Sequence, residues 1–407
     1  MHDSGMRLGR TAGRKLLVLV GVLAYANAGR TEPLRLRGDA LVQTRSPVGL
    51  LVLRGEDNLR PWIDAEAVTW LGVSGPAGTT SPGPTGDVLT LSVRMRDAKT
   101  GSELRAGRML VSMGAVRPLH IDGARGLARA FGGTTVEAFG GVPVVRAFEY
   151  RAFDFAAGGR VGQSIGDRAA IGASYLRRTE GSRPSDEEAG ADLTLTPARG
   201  FTAAARAAFD LLTYGPTDAL ASVSAQEKDV RAELFTTHRS PGRLLPSTSL
   251  FSVLGDYAAT SFGATGRYRA FPRLELLATG SAQIQDTEAG GQALARTTLA
   301  LDDAWAGSLG LEARRVEFGR ARWFGLRGIA AVPLRWGLRV ATELELVRPD
   351  EARGRGELWP WALGAVSWRS ANGWETAAGV EGSSGPENRA EVHVLARLSY
   401  VWDRSAR

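Results

Sequence analysis

Residues 337–347, GLRVATELELV, place Leu338, Val340, Thr342, Leu344 and Leu346 at alternate positions, with Arg339, Glu343 and Glu345 between them. Successive side chains of an extended chain point to opposite faces, so this segment has one apolar face and one charged face. The pattern returns along most of the chain. In 88–96, Leu89, Leu91, Val93 and Met95 alternate with Thr90, Ser92, Arg94 and Arg96. In 201–212, Phe201, Ala203, Ala205, Ala207, Phe209 and Leu211 alternate with Thr202, Arg206 and Asp210. Residues 274–285 and 390–402 repeat it, the latter setting Val392, Val394, Ala396, Leu398, Tyr400 and Trp402 against Glu391, His393, Arg397 and Ser399. Between such segments stand Gly, Pro, Asp and Asn, the residues that turn a strand. Almost nothing after residue 30 has helical periodicity, so the expected class is all-β.

The joins alternate in length. Longer ones fall near 74–87, 113–120, 143–154, 179–189, 240–256, 348–358 and 382–389, and tight ones near 98–101, 132–133, 198–200, 228–229, 270–273, 303–306, 335–336 and 370–373. The phase holds when 121–131 is counted as a strand. The range is then 16 to 22 strands and the best count is about 22, an even number that leaves both ends on the tight-turn side. No domain boundary interrupts the series.

Composition narrows what such a chain can be. It has no Cys, which excludes disulfides, thiolate metal sites and an acylated N-terminal Cys. The formal charge of +7 is carried mostly by Arg, and no basic run with interleaved aromatics accompanies it, so no nucleic-acid partner is expected. Arg7, Arg10, Arg14 and Lys15 precede the apolar run 16–25, which ends in Ala26-Asn27-Ala28. That is the layout of a secretory signal peptide cleaved near Ala28, too short to span a bilayer as a helix. The expected division is a signal peptide over 1–28 and one β-domain over 29–407.

Two architectures bury one face of so many strands. A soluble sandwich turns the apolar face inward, while a membrane barrel turns it to lipid and keeps a wet lumen. Here the apolar face is rich in Ala, Gly and Thr, too small to fill a dry core between sheets about 10 Å apart. The charged face carries both signs. Trp62, Trp323, Trp336, Trp359, Trp361, Trp374 and Trp402 lie near strand ends, where interfacial girdles place amphipathic rings. These features predict a closed antiparallel transmembrane β-barrel, since backbone in lipid must be fully paired.

In these respects the chain resembles the bacterial outer-membrane β-barrels. Tyr400-x-Trp402 is similar to the aromatic ending such proteins present to the outer-membrane assembly machinery, although 403–407 follow it and Arg397 stands where that signal usually has Gly. A narrower likeness, to a motif of alginate-export-type porins, spans 104–126 through Gly107-Arg108, Gly114, Arg117 and Asp122-Gly123, with Met109 where Gln is usual. The resemblance implies short periplasmic turns, longer outer loops, a lipid-bilayer partner and a Gram-negative outer membrane. A polar face of mixed charge with a mild Arg excess gives the expected job, a porin-like passage for small hydrophilic or anionic solutes or export of a polymer. A plugged barrel acting through its loops and a soluble exoprotein remain alternatives, and oligomeric state is open.

Candidate site residues follow from the polar face. Arg94, Arg206, Arg339, Glu343, Glu345 and Arg397 are expected to line a lumen. The loop 240–256 is long and apolar, and folding back would make it a constriction, with Arg243 and Asp256 flanking Leu250 and Phe251. His120, His238 and His393 fall in no catalytic motif and at no metal-ligand spacing, so no catalytic, metal or cofactor site is expected.

Overall fold

Alternation of side chains becomes, in the computed structural model, a single sheet that returns to its own beginning. The structure describes residues 34–44, 48–74, 84–144, 153–240, 258–285, 288–319, 321–351, 357–385 and 390–403. The first eight strands are β1 (Leu34–Gln43), β2 (Val48–Arg60), β3 (Ile63–Ser74), β4 (Pro84–Arg96), β5 (Glu103–Val111), β6 (Leu119–Arg129), β7 (Thr134–Pro143) and β8 (Phe153–Ile165). The next seven are β9 (Ala169–Glu180), β10 (Arg183–Ala198), β11 (Phe201–Asp210), β12 (Gly215–Glu227), β13 (Val230–Arg239), β14 (Ala259–Phe271) and β15 (Leu274–Gln285). The last seven are β16 (Glu288–Ala300), β17 (Ser308–Phe318), β18 (Ala321–Pro333), β19 (Leu338–Pro349), β20 (Trp359–Arg369), β21 (Trp374–Ser383) and β22 (Glu391–Asp403).

Each strand pairs antiparallel with its neighbours in the chain, and β1 pairs with β22 from Arg35↔Asp403 to Gln43↔Leu395. The 22-stranded sheet is therefore closed and leaves no edge. With strands about 4.8 Å apart and tilted about 40°, such a wall has a backbone radius of about 20 Å.

Register assigns the faces. Glu343 and Glu345 pair with Ile329 and Arg327 across the β18–β19 ladder, while Leu344 and Leu346 point the other way. Leu344 and Leu346 are 52% and 40% exposed. The glutamates instead meet Arg327 of β18 and Arg314 of β17. Leu311, Leu326, Val366, Val380 and Val394 continue the exposed apolar face around the wall. Apolar outside and charged inside inverts the order of a water-soluble barrel and matches one immersed in lipid.

The two ends differ. Joins from even to odd strands are short, as at Pro61–Trp62, Arg199–Gly200 and Lys228–Asp229, and both described chain ends lie on this turn end. The seven-residue turn 301–307 is closed by Asp302, whose carboxylate accepts the backbone N–H groups of Ala306 and Gly307 at 3.0 Å each. Those two bonds hold its pKa below the ordinary carboxylate value. The opposite, loop end carries 112–118, and β13 and β19 also end there. The expected longer loop over 179–189 is absent: β9 runs to Glu180, turns on Gly181 and Ser182, and β10 starts at Arg183. Both turn residues have positive φ, 54° and 65°, which suits the right-handed twist of a two-residue hairpin.

At the turn end Trp374 faces Tyr400 across β21–β22 with ring centroids 4.4 Å apart, and Trp368 shares this outward face. Trp62 and Trp336 occupy the turns themselves. Trp323, Trp359 and Trp361 depart from the expected girdle. Trp361 is opposite Glu345, and Trp359 is opposite Val347, on the charged face. Position at a strand end does not fix which face a side chain takes; parity does.

Candidate functional site

The inner wall is built from ion pairs that run between strands. Arg94 reaches Asp64 with its Nε at 2.9 Å, Arg105 reaches Glu66 at 2.9 Å, and Arg125 reaches Glu137 at 2.6 Å. Arg160 holds Asp192 through Nε at 2.9 Å and Nη2 at 2.5 Å. Farther around the wall, the Glu312 carboxylate is fully buried and takes both Arg296 and Arg314, with Arg327 at 4.0 Å. A buried carboxylate is tolerated only when compensated this way. Arg94, Arg105 and Arg125 stand in register on three successive strands, and each is balanced by a carboxylate, so the wall is polar and mixed in charge.

All six residues expected on the polar face share this inner parity. Arg94 pairs with Asp64, Arg206 lies 3.4 Å from Asp218, and Arg397 meets Glu375. Glu343 and Glu345 join Arg327 and Arg314. Arg339 stands opposite Ser367 without a side-chain partner among the described residues. The six are spread over β4, β11, β19 and β22 and do not converge on one centre. Arg243, Leu250, Phe251 and Asp256 lie outside the described residues.

The structure places another loop inside the barrel. Residues 112–118 join β5 to β6, and their Met113, Ala115, Val116 and Arg117 are buried. Met113 and Val116 pack with Met109, Val111, Leu119, Ile121, Phe139, Ala156 and Leu176, a small apolar core laid on the inner wall. Gly114, at φ +52°, brings the backbone so close that a Cβ would sit 2.7 Å from the Asp192 carboxylate and 3.0 Å from Arg160. Arg117 then anchors the loop: its backbone N–H and Nε each donate to Glu188 at 2.9 Å, and Nη1 donates to Asp186 at 2.9 Å. Arg178, opposite Asp186 on β9, meets the same carboxylate.

Gly107, Arg108, Gly114, Arg117 and Asp122 of the motif in 104–126 thus have structural tasks. Arg108 holds Asp122 at 2.7 and 2.8 Å on the outer side of the wall, and Gly107, at φ +122°, lets β5 approach β4. The expectation missed that Arg117 is a loop anchor, because its partners lie about seventy residues away in sequence. Arg117 inside an otherwise apolar loop was the available signal. His120 and His238 are on the outer face, bonded to the Leu89 carbonyl and the Thr260 hydroxyl, while His393 is inside, 3.3 Å from Glu391.

No protein-family model and no curated protein matches the chain. Solved structures do. The P pilus usher (PapC) translocation pore aligns with 91% of this chain and 99% of its own at TM-score 0.50 and 10% identity. The copper transporter OprC aligns over 91% and 80% at TM-score 0.57 and 12% identity. The ferric enterobactin receptor (PfeA) of Pseudomonas aeruginosa, as a mutant, aligns over 92% and 81% at TM-score 0.56 and 9% identity. At these identities the likeness is one of fold. The chain has the closed antiparallel architecture of the bacterial outer-membrane β-barrels.

Proposed function

We propose that this chain, exported by a signal peptide cleaved near Ala28, is a passive porin-like channel of a Gram-negative outer membrane, with its loop end outward. The observation that carries the reading is the inverted wall: exposed Leu344 and Leu346 on one face, ion-paired Glu343 and Glu345 on the other, in a closed 22-stranded sheet. At a backbone radius of about 20 Å, a seven-residue folded-in loop narrows one side of the lumen without filling it. Arg94, Arg206, Arg339, Glu343, Glu345 and Arg397 line the path, which serves small hydrophilic solutes. The paired charges supply hydration without a single-sign barrier. A second constriction is assigned to 240–256, with Arg243, Leu250, Phe251 and Asp256 at its narrowest part.

The test is reconstitution of the detergent-extracted protein in planar bilayers, after a gel in which the unboiled band migrates apart from the boiled one. Discrete conductance steps support the channel, and deletion of 244–254 enlarges them. A heat-shifted but silent protein replaces the channel with a plugged scaffold.

A further inference from the structure

The tryptophans that leave the lipid girdle gather on one stretch of inner wall at the loop end. Trp323 is the third residue of β18, and Trp359 and Trp361 are the first and third of β20. Val347 on the strand between is paired with both Gly325 and Trp359, so Trp359 stands level with Gly325. The Trp323 indole folds over that glycine: a Cβ there would lie 3.0 Å from its Cζ3. Two indoles therefore sit at one level, about 10 Å apart across two strand spacings. Trp361, one pleat deeper, is oriented by Nε1–H donation to Glu381 at 2.8 Å. All three rings are half-buried, so each packs on the wall and keeps surface toward the lumen.

What surrounds them is acidic. Glu381 pairs in register with His393, and Ser383 with Glu391. Neither Glu381 nor Glu391 has an arginine partner among the described residues, whereas Glu343 and Glu345 are held by Arg327 and Arg314. Flat apolar ring faces beside carboxylates that no arginine neutralises suit a solute with an apolar face and a hydroxyl edge. An inorganic ion gains nothing from indole. An aromatic anion gains the ring contact but meets carboxylates without an arginine partner among the described residues.

We propose that Trp323, Trp359, Trp361 and Glu381 form a capture site for neutral pyranose sugars at the loop-end mouth of the lumen. The inference rests on the channel reading for its biological sense, and its site is separable from it. The rings take the C–H faces of successive sugar units, and Glu381 and Glu391 accept hydroxyl protons in charge-assisted hydrogen bonds.

The experiment uses the full chain, with maltohexaose as the neutral probe and benzoate as the aromatic anion. Calorimetry on the detergent-solubilised barrel reads binding, and current interruptions in a planar bilayer read entry. We expect maltohexaose to bind and to block, and Trp323→Ala/Trp359→Ala to weaken both at least tenfold while the boil-shifted band and the salt conductance persist. Trp361→Phe, which keeps a ring and loses the N–H, is expected to fall between. Maltohexaose binding unaffected by the double variant, absent maltohexaose binding, or benzoate binding more tightly than maltohexaose each overturns the proposal. Sugar heat without conductance retains the site and removes the channel; conductance without sugar heat does the reverse.

Discussion

Arg117 and Glu188 lie 71 positions apart and meet twice, through the Arg117 backbone N–H and through its Nε, each 2.9 Å from the carboxylate. Glu188 is wholly buried. This double contact, with Asp186 beside it, holds 112–118 against the inner wall.

Removing one partner of a buried pair costs about 3–5 kcal/mol, because the other charge stays unpaired. The β5–β6 ladder ends before the loop, so in Arg117→Ala that cost is expected as release of 112–118 rather than opening of the sheet. Hydrogen exchange read by mass spectrometry is expected to accelerate in 112–118 and stay slow in β5 and β6, with a larger and noisier conductance. Unchanged exchange in the loop would show that the apolar core of Met113 and Val116 suffices without the anchor.

Much of this architecture was legible before any coordinates. Period-two alternation with turn residues between segments yields the faces of β4, β11, β15, β19 and β22, since a strand's parity is a local property. The rhythm of joins bounds the strands at 16 to 22 with a best count of about 22, and the closed sheet has 22. What escaped depends on long-range contact or on a single parity. Met113, Ala115 and Val116 continue the apolar texture of β5, and nothing nearby announces that Arg117 binds β10. Trp359 and Trp361 flank Pro360, so polar alternation is missing where it would have shown their face. Gly181-Ser182 lies in a polar stretch that suggests a longer loop, yet both residues adopt positive φ and the strands continue.

Gly107 tests the close approach of β5 to β4. A Cβ at this position would stand 2.1 Å from the Leu91 carbonyl oxygen, and φ is +122°. Gly126, on the adjacent β6, has nothing within 4 Å of its built Cβ. Gly107→Ala is expected to cost at least about 1–3 kcal/mol. Gly126→Ala is expected to be neutral or to stabilise by about 0.5–1 kcal/mol. Temperatures of band shift on unboiled gels rank the two, and equal temperatures would contradict the register.

Trp374 and Tyr400 separate anchoring from assembly. Trp374→Ala removes the ring pair, worth about 0.5–1.5 kcal/mol beyond its area. Tyr400→Ala removes the same pair together with part of the aromatic ending on β22. Both are expected to lower thermal stability alike, but only Tyr400→Ala and Trp402→Ala are expected to slow appearance of the folded band in cells. Equal assembly rates for Trp374→Ala and Tyr400→Ala would assign all three rings to the girdle alone.

Leu344 and Ala365 decide which face meets lipid. They sit on neighbouring strands with opposite parity: Leu344 is exposed on the outer wall, and Ala365 is opposite Ala341 on the inner one. In a lipid-immersed barrel Leu344→Arg places a cation among acyl chains, at about 2–4 kcal/mol near the midplane. Ala365→Arg places the same side chain in a wet lumen already furnished with Glu343 and Glu345, at a cost below about 1 kcal/mol. It is also expected to reduce conductance and raise the preference for anions. A water-soluble barrel predicts the reverse order, with the buried arginine costly and the surface one harmless. Denaturant unfolding in vesicles, with both variants side by side, therefore distinguishes the two architectures by the sign of a single difference.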